Sequence, residues 1–199
     1  YNKRTTIVTP NDGICVAILS AGNGSRIKSY EPRSLLKIKG SYLLDHQIQT
    51  VGESFENPEI VNVVGCHANR VIKKSKNRTR IIENQLYDSS NSSESMRLAF
   101  NSTTNKNFLF MHGDLYFNTK TLDLDYGSSF VIIDTKNRFK DTEVEYKILS
   151  NIFQKYEAQD KKRLSFEIMN MIVEAGGQFK CYEPKGMNIK EIDRIKDIK

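Results

Sequence analysis

The residues best suited to handling phosphate lie near the front of the chain. Leu19, Ser20, Ala21, Gly22, Asn23, Gly24, Ser25 and Arg26 follow one another, and Pro32 and Arg33 come shortly after. Glycines placed directly after an apolar strand let the backbone come close to a polyanion. Successive amide N–H groups in such a turn form an anion-binding nest. Arg26 and Arg33 add fixed positive charge, the second beside a rigid proline, which suits a reaction that builds negative charge on phosphorus. Two familiar phosphate loops are excluded. Position 27, where a third glycine would complete a dinucleotide fingerprint, is Ile27, and no Gly-Lys-Ser/Thr follows to make a Walker A loop.

Three more segments carry polar chemistry. Asn84-Gln-Leu-Tyr87 leads to Asn91 and Ser95. Asn91 both donates and accepts hydrogen bonds, as recognition of a pyrimidine requires; a plain polar loop capping the helix that starts near Ser93 would look the same. The apolar stretch from Phe108 delivers Asp114 at its carboxyl end, where α/β folds place their ligands. Asp193 closes the run Ile189-Lys-Glu-Ile-Asp193 near the end of the sequence. Structural roles are expected for His46, His67 and His112.

These groups need a frame to bring them together, and the hydrophobic pattern supplies one. Ile14–Leu19 is a continuous apolar run, as in a strand buried on both faces of a parallel sheet. Further strands are expected at 60–64, 80–82, 107–111, 129–134, 143–148, 178–182 and 189–193. Helices are expected at 42–51, 69–76, from about 93, and at 164–174, the last ended by Gly176-Gly177. The stretch 148–156 has no assignable pattern. Strands alternating with helices predict a single domain over 1–199 with a right-handed α/β sheet.

The 199 residues suffice for a substantial core. No apolar run approaches the roughly 20 residues of a membrane span, and the start of the sequence lacks a signal-peptide pattern. The three cysteines, Cys15, Cys66 and Cys181, form no metal-binding spacing. Cys15 and Cys66 lie in apolar runs and read as buried thiols. A reducing, cytoplasmic setting fits this usage. The net charge of +6 suits a nucleic-acid binder or an enzyme for phosphorylated substrates. The basic run 70–80 has no interleaved aromatic residue, so it reads as a solvated helix end and loop leading into a strand.

Taken together, Ser-Ala-Gly-Asn-Gly-Ser-Arg, then Pro-Arg-Ser-Leu-Leu, then Lys-Gly-Ser-Tyr-Leu-Leu-Asp-His-Gln-Ile resembles the opening of the nucleotidyltransferase superfamily. The nearest likeness is to small cytidylyltransferases acting on phosphocholine, phosphonates or related compounds; sugar-1-phosphate nucleotidyltransferases share the opening. The resemblance implies a three-layer α/β/α, Rossmann-like sheet, mixed but mainly parallel, of the nucleotide-diphospho-sugar transferase type. It places Gly22, Gly24 and Arg26 on the phosphate loop and Arg33 where the family usually carries a catalytic lysine. It sets the Asn84–Ser95 segment beside the base. It makes Asp114 and Asp193 the ligands of Mg²⁺, which commonly takes one or two carboxylates plus substrate phosphates.

The expected reaction is then Mg²⁺-dependent transfer of a nucleotidyl group, CMP from CTP, to a small phosphorylated acceptor, with pyrophosphate leaving. An acceptor phosphate is already ionised, so no Ser/His/Asp or Cys/His arrangement is needed. A possible homo-oligomer, and no nucleic-acid or membrane partner, complete the expectation. The alternatives are a sugar-1-phosphate nucleotidyltransferase using another NTP, a non-catalytic nucleotide-binding module and a nucleic-acid-binding domain. A related glycosyltransferase would carry Asp-x-Asp, whereas Leu115-Tyr116 follow Asp114.

Overall fold

The computed structural model describes residues 13–22, 32–75, 77–124, 126–134, 139–144 and 152–192. At its centre lies β1 (Ile14–Ser20), every residue of which is buried. Its side chains alternate between two cores, as the two-residue period of a strand dictates. Ile14, Val16 and Ile18 enter one core, and Cys15, Ala17 and Leu19 enter the other. Burial on both sides is why the run from Ile14 to Leu19 is apolar without a break.

Two parallel neighbours flank β1: β4 (Glu59–Val64) and β6 (Asn107–His112). Beyond β4 lies β5 (Arg80–Glu83), also parallel. On the other side β9 (Phe139–Val144) runs antiparallel to both β6 and β8 (Phe130–Asp134). β10 (Lys180–Tyr182) completes the edge, parallel to β8. The seven strands stand in the order β10-β8-β9-β6-β1-β4-β5. The sheet is therefore mixed and mainly parallel, as expected.

Helices cover both faces. α1 (Leu43–Ser54) and α2 (Ala68–Ser75) cover the first face, with Leu44, Ile48, Val51 and Val71 in its core. α3 (Ser92–Phe100) and α4 (Ser165–Glu174) cover the second, with Met96, Ala99, Ile168 and Ile172. Apolar residues recur on each helix at three- and four-residue spacing, so one stripe faces the sheet. Three layers result. No helix among the described residues is long and apolar enough to cross a membrane.

Two small pairs stand outside the main sheet, and of their four strands only β11, within the expected 189–193, had a sequence signal. β2 (Lys37–Ile38) and β3 (Ser41–Tyr42) form a hairpin through Lys39 and Gly40, both with positive φ. β7 (Leu115–Phe117) pairs with β11 (Ile189–Glu191), some seventy residues away. Segments this short show no period, and the second is held by a distant partner. The strand expected at 143–148 begins earlier, at Phe139, because its register is set by β6 and β8; 145–148 lie outside the described residues. The strand expected to end at Asp193 is described to Glu191. Cys66 is only half-buried, since the β4 run ends before it, and Cys181 is exposed.

The thiols should report this layering. Burial pushes the Cys15 thiol up to about 12, with the Glu59 charge adding to it. In the native protein at mildly alkaline pH, a thiol reagent should modify Cys181 readily and leave Cys15 untouched. Cys15 should react only after denaturation. Rapid native labelling of Cys15, read by mass spectrometry of the digested protein, would contradict a two-sided burial of β1.

Candidate active site

The register fixes where the site lies. Leu19 stands opposite both Val63 and His112, so β1, β4 and β6 end at one level. Three turns leave the sheet there: Ala21-Gly22 after β1, Gly65 after β4, and Gly113-Asp114 after β6. Backbone bonds tie them together. The Cys66 N–H donates to the Ala21 carbonyl at 3.1 Å, and the Gly113 N–H donates to the Leu19 carbonyl at 3.0 Å. The turns are so close that a Cβ at Gly65 would stand 2.6 Å from the Tyr87 Cβ and 2.8 Å from the Ala21 oxygen. A Cβ at Gly113 would stand 2.7 Å from the Ser20 Oγ. Gly22 differs: a Cβ there meets nothing within 4 Å among the described residues.

Arg33 and Asp114 meet above this edge. Pro32 leads into a one-turn 3-10 helix, Arg33–Leu35, anchored by buried Leu35. Arg33 Nη1 donates to Asp114 Oδ2, and the two side chains are 18% and 14% accessible. A guanidinium and a carboxylate expected on chemical grounds alone are thus joined across 81 residues. The Asp114 carbonyl accepts a 2.8 Å bond from the Ile192 N–H, so β11 brings the residue before Asp193 against the Asp114 backbone. His112, one strand position inward, hydrogen-bonds Ser165 Oγ at 3.1 Å. Desolvation lowers its pKa; the Asp114 charge opposes this and the Arg33 charge adds to it.

The third wall is the loop between β5 and α3. Asn84 is buried and organises it. Its Oδ1 accepts from the Leu86 N–H at 3.0 Å, and its Nδ2 donates to Ser90 Oγ and Ser95 Oγ, each at 3.1 Å. Both amide hydrogens and the oxygen are therefore engaged inside the loop. Ser95 is buried with it. Asn91 is exposed and caps α3, its Oδ1 accepting from the Ser92 N–H at 3.0 Å. Leu86 and Tyr87 expose large apolar surface at the rim. The C-terminal part closes the back of the loop: Asn91 N–H donates to the Lys161 carbonyl at 2.7 Å, and Ser93 Oγ to the Asp160 carbonyl at 2.7 Å.

The structure thus brings Leu19, Ser20, Ala21, Gly22, Arg33 and Asp114 to one edge and sets Asn84, Asn91 and Ser95 on the adjoining loop. Asn23, Gly24, Ser25, Arg26 and Asp193 lie outside the described residues. No group of three or more His, Cys, Asp or Glu able to hold a metal is formed among the described residues. His112, for which a structural role was expected, lies beside the pair, and one contributor escaped the sequence reading, Gln47. Gln47 had a signal: it is a polar residue inside the apolar stripe Leu44, Ile48, Val51 of α1.

With this three-layer, mainly parallel sheet goes a family match, and the match makes the chain a nucleotidyltransferase. The chain belongs to the MobA-like NTP transferase domain family, whose model matches residues 16–124, more than half of it. A stretch of 64 residues is 38% identical to the bifunctional protein GlmU of Koribacter versatilis, covering 32% of this chain and 14% of that protein. The chain therefore matches a small part of that relative's length.

Solved structures share the fold across nearly the whole chain. The CTP:phosphocholine cytidylyltransferase of Streptococcus pneumoniae superposes with a TM-score of 0.72 at 16% identity, covering 93% of this chain and 96% of that one. The inositol-1-phosphate CTP transferase of T. maritima gives 0.70 at 15% identity, over 94% and 91%. A nucleotidyl transferase from Methanothermobacter gives 0.68 at 17% identity, over 94% of each chain.

Asn84→Ala should leave Ser90, Ser95 and the Leu86 N–H without their partner. The expected loss of stability is about 1–3 kcal/mol, the cost of unsatisfied buried polar groups. Urea unfolding measures it; a change within experimental error would show that the loop does not rely on this side chain.

Proposed function

We propose that this chain catalyses Mg²⁺-dependent transfer of CMP from CTP to a small phosphorylated acceptor, releasing pyrophosphate. The observation that carries the reading is the convergence on Asp114. Its carboxylate stands at the carboxyl edge of the sheet, Arg33 lies against it, and the residue preceding Asp193 is bonded to its backbone. Hard carboxylate oxygens are the donors magnesium prefers, and one or two of them suffice. Asp114 and Asp193 would hold the ion, which would supply positive charge against the nucleotide phosphates.

The other roles follow from position. The turn Leu19–Ser25 takes the triphosphate, with Gly22 leaving room for it. Arg26 and Arg33 offset the charge that builds on the departing pyrophosphate. The acceptor's phosphate oxygen is already an anion at neutral pH, so it attacks the α-phosphorus in line without a general base. Catalysis is then positioning plus charge neutralisation. The polar loop Asn84–Ser95 holds the base, with exposed Asn91 offering both a donor and an acceptor and buried Asn84 and Ser95 keeping its shape. The choice of CTP is supported by the two neighbours described as CTP transferases.

The test is a pyrophosphate-release screen of the four NTPs with Mg²⁺ against phospho-amino-alcohols, phosphonates and sugar phosphates. CTP with a phospho-amino-alcohol or phosphonate is expected to react. Turnover confined to sugar 1-phosphates with another NTP would replace the cytidylyl reading, and silence across the panel would favour a nucleotide-binding module. With the productive pair, Asp114→Ala should lower kcat by at least about a hundredfold, the scale of losing one charge-stabilising group. Substantial pyrophosphate release by that variant would sink the metal assignment.

A further inference from the structure

Gln47 lies on α1, outside the phosphate turn, the Arg33–Asp114 pair and the polar loop, yet it is 0% exposed. Its Nε2 donates to the His112 carbonyl at 3.0 Å and to the Leu115 carbonyl at 2.9 Å. These two carbonyls bracket the Gly113-Asp114 turn. Both partners can only accept, so the nitrogen and not the oxygen must face them. One NH₂ group supplies two hydrogens to two carbonyls, and a side chain with one donor or none could not bridge them. Gln47 Oε1 has no partner among the described residues. The amide is thus kept in an apolar core for its donor end alone, at the cost of an unsatisfied oxygen.

Every other face of the turn is also gripped. Gly113 is held to β1 through the Leu19 carbonyl, with Ser20 too close for any side chain at 113. The Asp114 carbonyl is taken by Ile192, and the Asp114 carboxylate lies against Arg33. Gln47 spans the turn from the helix side. Its two bonds join the residue before the turn to the residue after it.

We infer that Gln47 is a positioning residue that aims the Asp114 carboxylate, and so sets divalent-metal affinity from the far side of the backbone. The inference rests on Asp114 being a metal ligand. Groups that orient a metal ligand typically change affinity 10- to 100-fold when lost.

The test compares Mn²⁺ binding, followed by electron paramagnetic resonance of the free ion, in four full-length proteins: wild type, Asp114→Asn, Gln47→Met and Ile48→Val. Methionine matches the length of glutamine and removes both donors. Ile48→Val trims the same helix's core contact without reaching the turn, and it controls for lost stability. All proteins are measured well below their melting temperatures, with near-ultraviolet circular dichroism confirming the folded state.

Wild type should bind Mn²⁺, Asp114→Asn should lose it, Gln47→Met should bind about tenfold more weakly, and Ile48→Val should match wild type. In turnover with the productive substrates, Gln47→Met should lower kcat and raise the Mg²⁺ needed for half-activity, with the KM for the NTP within about twofold. If Asp114→Asn binds Mn²⁺ as wild type does, or wild type binds none, the metal assignment fails and this inference with it. If Asp114→Asn loses Mn²⁺ while folded Gln47→Met keeps it within about twofold, the role of Gln47 is overturned and the metal assignment stands. Equal weakening in Ile48→Val would assign the effect to general loosening of α1 and also overturn it.

Discussion

The arrangement depends on the register of one strand. β1 is buried on both faces and paired on both edges, so its position along its own axis is fixed by four neighbours at once. A slip by a single residue would exchange its two cores and carry every side chain to the wrong face. Because Leu19 is level with Val63 and His112, three chain segments turn at the same height. The Ala21, Gly65 and Gly113 contacts, each too tight for a Cβ at the glycines, are the local expression of that alignment. The charged groups can be few because the backbone beneath them is so closely constrained.

The two parts of the chain meet at the polar loop between β5 and α3. Residues 84–95 belong to the segment matched by the family model, yet the backbone carbonyls of Lys161 and Arg163 and the Tyr156 hydroxyl complete the hydrogen bonding around the start of α3. Tyr156 also stacks in reach of Arg97, which is held by Glu94 beneath the loop. Burial pushes the Glu94 carboxyl up, and the Arg97 guanidinium more than offsets it, leaving it below the usual range. The loop's shape is therefore shared property. A change in the C-terminal part reaches the front of the site through these carbonyls without touching a substrate.

How much of this the sequence disclosed varied with the physics involved. β1, β4 and β6 were legible because burial on both faces makes a strand largely apolar, with Asn62 in β4 the one buried polar interruption inside these three runs. Asp114 was legible because a carboxylate stood at the end of one. The joining of Arg33 to Asp114 was not, since nothing local encodes a contact across 81 residues. Asn84 was selected for its polarity, and the structure shows that polarity turned inward to hold Ser90, Ser95 and Leu86. Gln47 was passed over because one polar residue in an amphipathic helix resembles noise until its partners are seen. β7 is three residues long and exists only through its pairing, so no window of sequence could show it, whereas β11 lies within the strand expected at 189–193.

The single reversed strand gives the molecule an economical place for variety. β8 ends and β9 begins at the same margin of the sheet as Asp114, with Asp134 opposite Phe139. From β1 to β4, from β4 to β5 and from β5 to β6 the chain returns across a helix before the next parallel strand starts. Here a hairpin suffices, and lengthening a hairpin costs little conformational entropy. Insertions at that point would heighten the rim on the side away from the polar loop and leave the sheet undisturbed. The fold can thus take on new surface at one end of its rim while the other end stays the same.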